Sequence, residues 1–140
     1  MSAAASHEFM RRAEGNARRQ ATPEQWVAYR ALWDGSLPDD ESLRRAFESI
    51  RPLCFFEKRR AAESLAARAA TRYRIAVRNF IIHHEYPTHD CREQLSRIRC
   101  PTLVAVGRHD WICPVELAEE IHKLVPNSTL AIFERSGHSP

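Results

Sequence analysis

Cys100-Pro101-Thr102-Leu103-Val104-Ala105-Val106-Gly107-Arg108-His109-Asp110-Trp111-Ile112-Cys113-Pro114 is an apolar run that stops in a turn carrying an acid. A second run, Ser128-Thr129-Leu130-Ala131-Ile132-Phe133, stops before a turn carrying a histidine, Ser136-Gly137-His138-Ser139-Pro140. Between them, Pro114 to Leu124 places Leu117, Ile121 and Leu124 at helical spacing. Strand, helix and strand in this order predict a βαβ unit. The first run has β-branched residues and no polar alternation beyond Thr102, which suits a parallel strand covered on both faces. Two parallel strands do not make a stable sheet alone. The rest of the sheet is therefore expected from other polypeptide.

Sites in open α/β sheets form beyond the carboxyl ends of the strands. Asp110 and His138 both occupy such ends. A buried aspartate that accepts a hydrogen bond from an imidazole fixes its tautomer and stabilises the imidazolium formed in catalysis. Gly107 and Gly137 allow a sharp turn just before each group. The alternative is that Asp110 caps the following helix and His138 is a surface loop residue; spacing alone leaves both open. A nucleophile serine on a G-x-S-x-G elbow is absent from the 140 residues. Ser136 has no strand-turn-helix context, Ser49, Ser64 and Ser96 lack flanking glycines, and Cys113 would need a different geometry. Without nucleophile and oxyanion donors, the chain alone is expected to be catalytically silent.

Residues 1–94 read as helical. Phe9, Met10, Ala13 and Ala17 recur near helical spacing. In Thr22-Pro23-Glu24-Gln25, Thr22 caps, Pro23 takes the first helical position and Gln25 falls three beyond the cap. Trp26, Ala28, Tyr29, Leu32 and Trp33 form an apolar stripe that Gly35 ends. Leu37-Pro38-Asp39-Asp40 starts a further helix with Leu43, Phe47 and Ile50 on one face, and Arg51-Pro52 breaks it. An alanine-rich stretch from Arg60 to Phe80 predicts one longer helix.

Composition narrows the function classes. The chain is 44% hydrophobic and 28% charged, one domain's worth of globular sequence. Residues 1–94 hold 16 basic and 13 acidic side chains, residues 95–140 five of each. The nearest thing to a basic footprint, Lys58, Arg59, Arg60, Arg68, Arg72, Arg74 and Arg78, is spread around a helix and reads as a solvated face, not as a nucleic-acid site. No apolar stretch reaches the roughly 18 residues that span a bilayer. The start lacks the basic-then-apolar order of a secretion signal. A soluble cytoplasmic protein is expected. Cys54, Cys91, Cys100 and Cys113 form no C-x-x-C pair, and Cys54 and Cys100 read as reduced core thiols. His83-His84-Glu85 with His89-Asp90 offers metal-ligand types, but adjacent residues diverge on a helix and Pro87 ends it. No metal site is predicted.

Residues 97–138 resemble the C-terminal part of an α/β-hydrolase, most closely the prolyl aminopeptidase (proline iminopeptidase)-like branch. Gly107, Asp110 and Pro114 match that family's G-x-x-D-x-x-x-P turn, and Gly137 and His138 match its G-H turn. Thr22-Pro23-Glu24, Leu32-Trp33 and Arg51-Pro52-Leu53-Cys54-Phe55-Phe56 resemble the helical cap of the same branch, with Cys54 where an aromatic residue is common. The resemblance implies an α/β fold: an α/β-hydrolase C-terminal fragment, with an all-helical cap over 1–94 and the last strand-helix-strand unit over 95–140. It lacks the early strands, the oxyanion loop, the elbow and the closing helix. Asp110 is then the orienting acid and His138 the general base of a serine hydrolase that uses no cofactor. Substrates are small amides or esters, with N-terminal proline peptides favoured; an esterase or lactonase on the same scaffold is the alternative. A non-enzymatic interaction protein or truncated gene product is the rival. Glu57 and Glu85 are candidates for binding a substrate amine, and Trp111 for a pocket wall or a core residue. The implied partner is a complementary N-terminal chain or a second copy.

Overall fold

The computed structural model describes residues 4–67 and 70–139. Its helical part contains α1 (Glu8–Gln20), α2 (Pro23–Asp34), α3 (Asp40–Ile50), α4 (Arg60–Ala67), α5 (Ile75–Phe80) and α6 (Arg92–Leu95). The predicted punctuation of α2 is present at both ends. Thr22 Oγ1 accepts from the Gln25 N–H at 3.3 Å, and Gln25 Oε1 accepts from the Thr22 N–H at 3.1 Å. These two bonds close a capping box. At the other end Gly35 takes φ 73°, a left-handed conformation that glycine adopts without steric cost. Asp39 caps α3 by accepting from the Ser42 N–H at 2.7 Å. Beyond Ile50, Pro52 tightens the chain into a 3₁₀ turn over Arg51–Cys54.

The alanine-rich stretch forms two helices, not the single one expected. Asp40, at the start of α3, is the reason at the α5 end. Its carboxylate accepts from the Ile75 N–H at 2.7 Å and from Arg74 Nη1 at 2.6 Å. The first donor of α5 thus goes to another helix, and the chain starts afresh there. After Phe80 the helix widens into a π-type turn over Ile81–Glu85 and closes as a 3₁₀ turn over Tyr86–Thr88.

The sheet consists of β1 (Thr102–Gly107) and β2 (Ser128–Phe133), parallel as expected, with Val104 opposite Leu130 and Gly107 opposite Phe133. α7 (Val115–Leu124) connects them. Val104 and Val106 turn toward Ala118 and Ile121 of α7 in one apolar cluster that also takes in Leu130, Ile132 and Ala5. The other face of β1 is bare: Leu103 is 67% exposed, and Phe133 at the end of β2 is 54% exposed. The two-faced burial read from the sequence is therefore met on one face only. Cys100 is likewise exposed, whereas Cys54 is buried.

Trp111 ties the helices to the sheet unit, and the N-terminal segment pairs with the chain just before α6. Trp111, fully buried, packs its ring 5.8 Å from Tyr29 within the cluster built by Leu32, Leu43, Ile50 and Leu53. Residues 4–7 run antiparallel to 89–91, with the His7 N–H bonded to the His89 carbonyl at 2.7 Å and the Cys91 N–H to the Ala5 carbonyl at 2.8 Å.

Candidate active site

The turns after β1 and β2 are bonded backbone to backbone. The Arg108 N–H donates to the Phe133 carbonyl at 3.0 Å, and the His109 N–H to the Ser136 carbonyl at 2.9 Å. Both predicted glycines are needed for space. A Cβ on Gly107 would collide with the carbonyl oxygens of Ser136 and Gly137, and one on Gly137 with the carbonyl of Cys54. This close approach lays the acid turn and the histidine turn against each other and against the 3₁₀ turn that follows α3. The Ser139 N–H donates to the Cys54 carbonyl at 2.8 Å and fixes the far side of the histidine turn.

Asp110, buried, lies opposite His138. Its Oδ1 accepts from the Ile112 and Cys113 N–H groups, each at 2.9 Å. His138 Nδ1 lies 3.0 Å from Oδ1 and 3.1 Å from Oδ2. Asp110 does not cap α7, which starts after Pro114 without a side-chain cap; it stitches its own turn and orients an imidazole. Three donors compensate the buried carboxylate, as a charge removed from water requires. With an ionised Asp110 as acceptor, the proton belongs on Nδ1, and Nε2 keeps its lone pair. The bonds to Asp110 use Nδ1 alone and leave Nε2 on the cavity side.

The half-buried His138 stands between two cavities. One, of about 600 Å³, lies between the bare sheet face (Ala105, Gly107, Phe133) and the cap residues Phe47, Arg51 and Tyr73. The other, of about 520 Å³, lies on the cap side and is walled by Trp33, Arg78, Glu85, Tyr86, Trp111 and Ile112. An imidazole base with a buried acid behind it and open volume on either side is equipped to take and return a proton. Among the described residues no serine is hydrogen-bonded to it.

The other candidates divide. Trp111 is a core residue that also walls the cap-side cavity with His138. Glu85 is on the rim of the same cavity. Glu57 lines neither; it pairs with Arg59 at 2.8 Å and with Arg135 at 3.0 Å. Arg59 first, then Arg135, holds its carboxyl below the usual range. Among the described residues no group of three or more His, Cys, Asp or Glu side chains is arranged to hold a metal. No described helix is long and apolar enough to cross a membrane.

No family model matches the chain. The proline iminopeptidase of Saccharolobus solfataricus is 47% identical over 49 residues, 35% of this chain and 16% of that protein. A pimeloyl-[acyl-carrier protein] methyl ester esterase of Aliivibrio salmonicida is 35% identical over 51 residues, 36% of this chain and 20% of the esterase. An α/β fold family hydrolase from Bacillus anthracis superposes with a TM-score of 0.75 at 24% identity, covering 98% of this chain and 50% of that one. The fold is that of an α/β-hydrolase. The two curated proteins support the same superfamily, from an ester-cleaving and a peptide-cleaving member. The chain spans half the length of the Bacillus hydrolase.

One residue of this hydrolase fold was misread from sequence. Arg78 falls in the run of arginines assigned to a solvated helix face, yet it is half-buried and enters the cap-side cavity. The available signal was its setting, Ile75-Ala76-Val77-Arg78, an arginine inside an apolar run.

Proposed function

We propose that this chain supplies the acid, Asp110, and the general base, His138, of a serine hydrolase acting on small esters or amides, and that another polypeptide stretch supplies the nucleophile. Residues 1–94 serve as the cap and residues 95–140 as the last strand-helix-strand unit of the core. The observation that carries this reading is the His138 Nδ1–Asp110 bond, which orients the imidazole at the meeting of two cavities. The bare sheet face supports it too: Leu103 and Phe133 are exposed where further core elements would pack, and Phe133 lines the larger cavity. In that arrangement the nucleophile enters from the sheet side and substrate binds on the cap side. Glu85 is the carboxylate available to a substrate amine at the cap-side rim, which keeps N-terminal proline peptides as the favoured amide class. Ester cleavage is the second reading, supported by the esterase among the curated relatives.

The test is to express the chain together with the polypeptide encoded immediately upstream and assay p-nitrophenyl butyrate and proline p-nitroanilide. Turnover that requires both parts and disappears in His138→Ala is expected. Faster turnover of the anilide supports the peptidase reading, and faster turnover of the ester replaces it with the esterase. Turnover by the 140-residue chain alone, survival of activity in His138→Ala, or an upstream frame without a G-x-S-x-G elbow overturns the proposal.

A further inference from the structure

The cap-side cavity contains a cation without a counter-ion among the described residues. Arg78, on α5, donates from Nη2 and Nε to the carbonyl of Leu32 at 3.0 and 3.3 Å. Its guanidinium lies 4.6 Å from the Trp33 ring centroid, 5.6 Å from that of Phe47 and 5.9 Å from that of Tyr86. It makes no ion pair with any described carboxylate; Glu85 is on the same cavity wall but does not pair with it. Burial pulls its pKa down, and the groups opposing that shift are the Tyr86 and Tyr29 hydroxyls, not an acid. A guanidinium does not give up its proton in a protein, so the charge persists in a poorly solvated place. Buried charges are normally paired.

The rest of the wall has the same bias. The indole N–H groups of Trp33 and Trp111 are buried without an acceptor among the described residues. Both rings line this cavity, and so does His138. Apart from Glu85 at its rim, the lining is thus mainly apolar and rich in donors. The Leu32 carbonyl explains part of the position of Arg78, since a cation near the last turn of α2 is favourable. It does not explain why the fork sits in a cavity wall among three aromatic rings with its charge uncompensated.

We infer that Arg78 is a specificity determinant that anchors a carboxylate on the substrate's acyl side while the scissile bond lies at His138. The substrate class is then a carboxylate-bearing ester or amide with a short apolar spacer between the two ends, in place of N-terminal proline peptides, whose acyl side carries an amine and no carboxylate. The planar fork suits a carboxylate bidentately, and the aromatic surround favours a singly charged group over a dianion such as phosphate. This inference rests on the reading of His138 as the reacting end of the cavity, but its test is one of binding and needs no turnover.

The 140-residue chain is titrated with hexanoate, hexanamide and inorganic phosphate, following tryptophan fluorescence, since Trp33 and Trp111 wall the cavity. Hexanoate is expected to bind at least tenfold more tightly than hexanamide, and phosphate to compete poorly. Arg78→Met brings hexanoate down to the affinity of hexanamide and leaves hexanamide binding unchanged, a pattern that loss of a structural clamp would not produce. Arg78→Lys keeps part of the preference. Equal binding of acid and amide by the unmodified chain, no binding of either, phosphate competing as well as hexanoate, or an unchanged preference in a folded Arg78→Met overturns the assignment. The wild-type ratio decides even where the methionine variant does not fold. Failure of the two-polypeptide activity assay alongside a hexanoate preference abandons the hydrolase reading and leaves the anion site standing.

Discussion

Asp110→Asn separates the two tasks of one side chain, because its oxygens do different work. Oδ1 carries both backbone bonds, to the Ile112 and Cys113 N–H groups at 2.9 Å, and also meets His138 Nδ1 at 3.0 Å, whereas Oδ2 has no partner but His138 Nδ1, at 3.1 Å. An asparagine that keeps its oxygen at the Oδ1 position retains both backbone bonds. The flipped orientation would set NH₂ against two N–H donors, so the orientation is dictated. The amide nitrogen then stands where Oδ2 was and must donate. His138 Nδ1 has to become the acceptor, and the ring proton moves to Nε2. The nitrogen that faces the cavities changes from base to donor. The stability change is small, since a charge-assisted bond becomes a neutral one, at about 1 kcal/mol. Asp110→Ala instead orphans two backbone donors, each worth about 1–3 kcal/mol, and should cost about 3 kcal/mol or more in total. Thermal melting orders the three proteins, and nitrogen NMR of isotope-labelled histidine reads the tautomer of His138. Proton retention on Nδ1 in Asp110→Asn, or an asparagine variant as unstable as the alanine one, would refute this division of labour.

Three further outcomes follow from other contacts in the fold. Gly107→Ala forces a Cβ into the carbonyls of Ser136 and Gly137, so it should lose about 1–3 kcal/mol and break the His138–Asp110 bond. Gly15→Ala meets only the flexible end of Arg19 at 3.7 Å and should gain about 0.5–1 kcal/mol; melting curves test both. Asp40, held below its ordinary 3.8 chiefly by the Ile75 N–H and then by Arg74, stabilises the fold at pH values above its unfolded value and loses that effect as pH falls through its folded value. The melting temperature should therefore hold down to about pH 4 and fall below it, and Asp40→Asn should flatten that fall. A parallel decline in both proteins would exclude Asp40 as a contributor.

The sheet unit was legible because its signals are local. Apolar runs of strand length, a helical repeat between them and turns at their ends imply the βαβ order without knowledge of what packs around it. Asp110 and His138 were legible for the same reason: each follows a strand end, and parallel pairing brings both ends to one side. The alanine-rich stretch was not legible, because its division depends on Asp40, 35 residues before the amide it caps. Arg78 was hidden by composition. A lone arginine among many looks solvated until the rings of Trp33, Phe47 and Tyr86 are placed around it. Glu57 and Glu85 were equivalent as exposed-type carboxylates, and only the positions of Arg59 and Arg135 consume one and leave the other on the cavity rim.

The acid–histidine pair is assembled without help from the bare sheet face. Every bond that orients His138 comes from its own turn, the turn after β1 or the Cys54 carbonyl. All of these lie within the described residues and involve buried backbone. The pair is thus preorganised by backbone packing at Gly107 and Gly137, not by induced closure around a ligand. On the proposed reading, a nucleophile brought to the sheet-side cavity would meet a base whose orientation is already set. The energetic task left to a completing polypeptide would be to cover Leu103 and Phe133 and deliver one hydroxyl to Nε2. That task is dominated by apolar burial, so completion should strengthen on warming from the cold as hydrophobic association does, while the His138–Asp110 geometry stays unchanged.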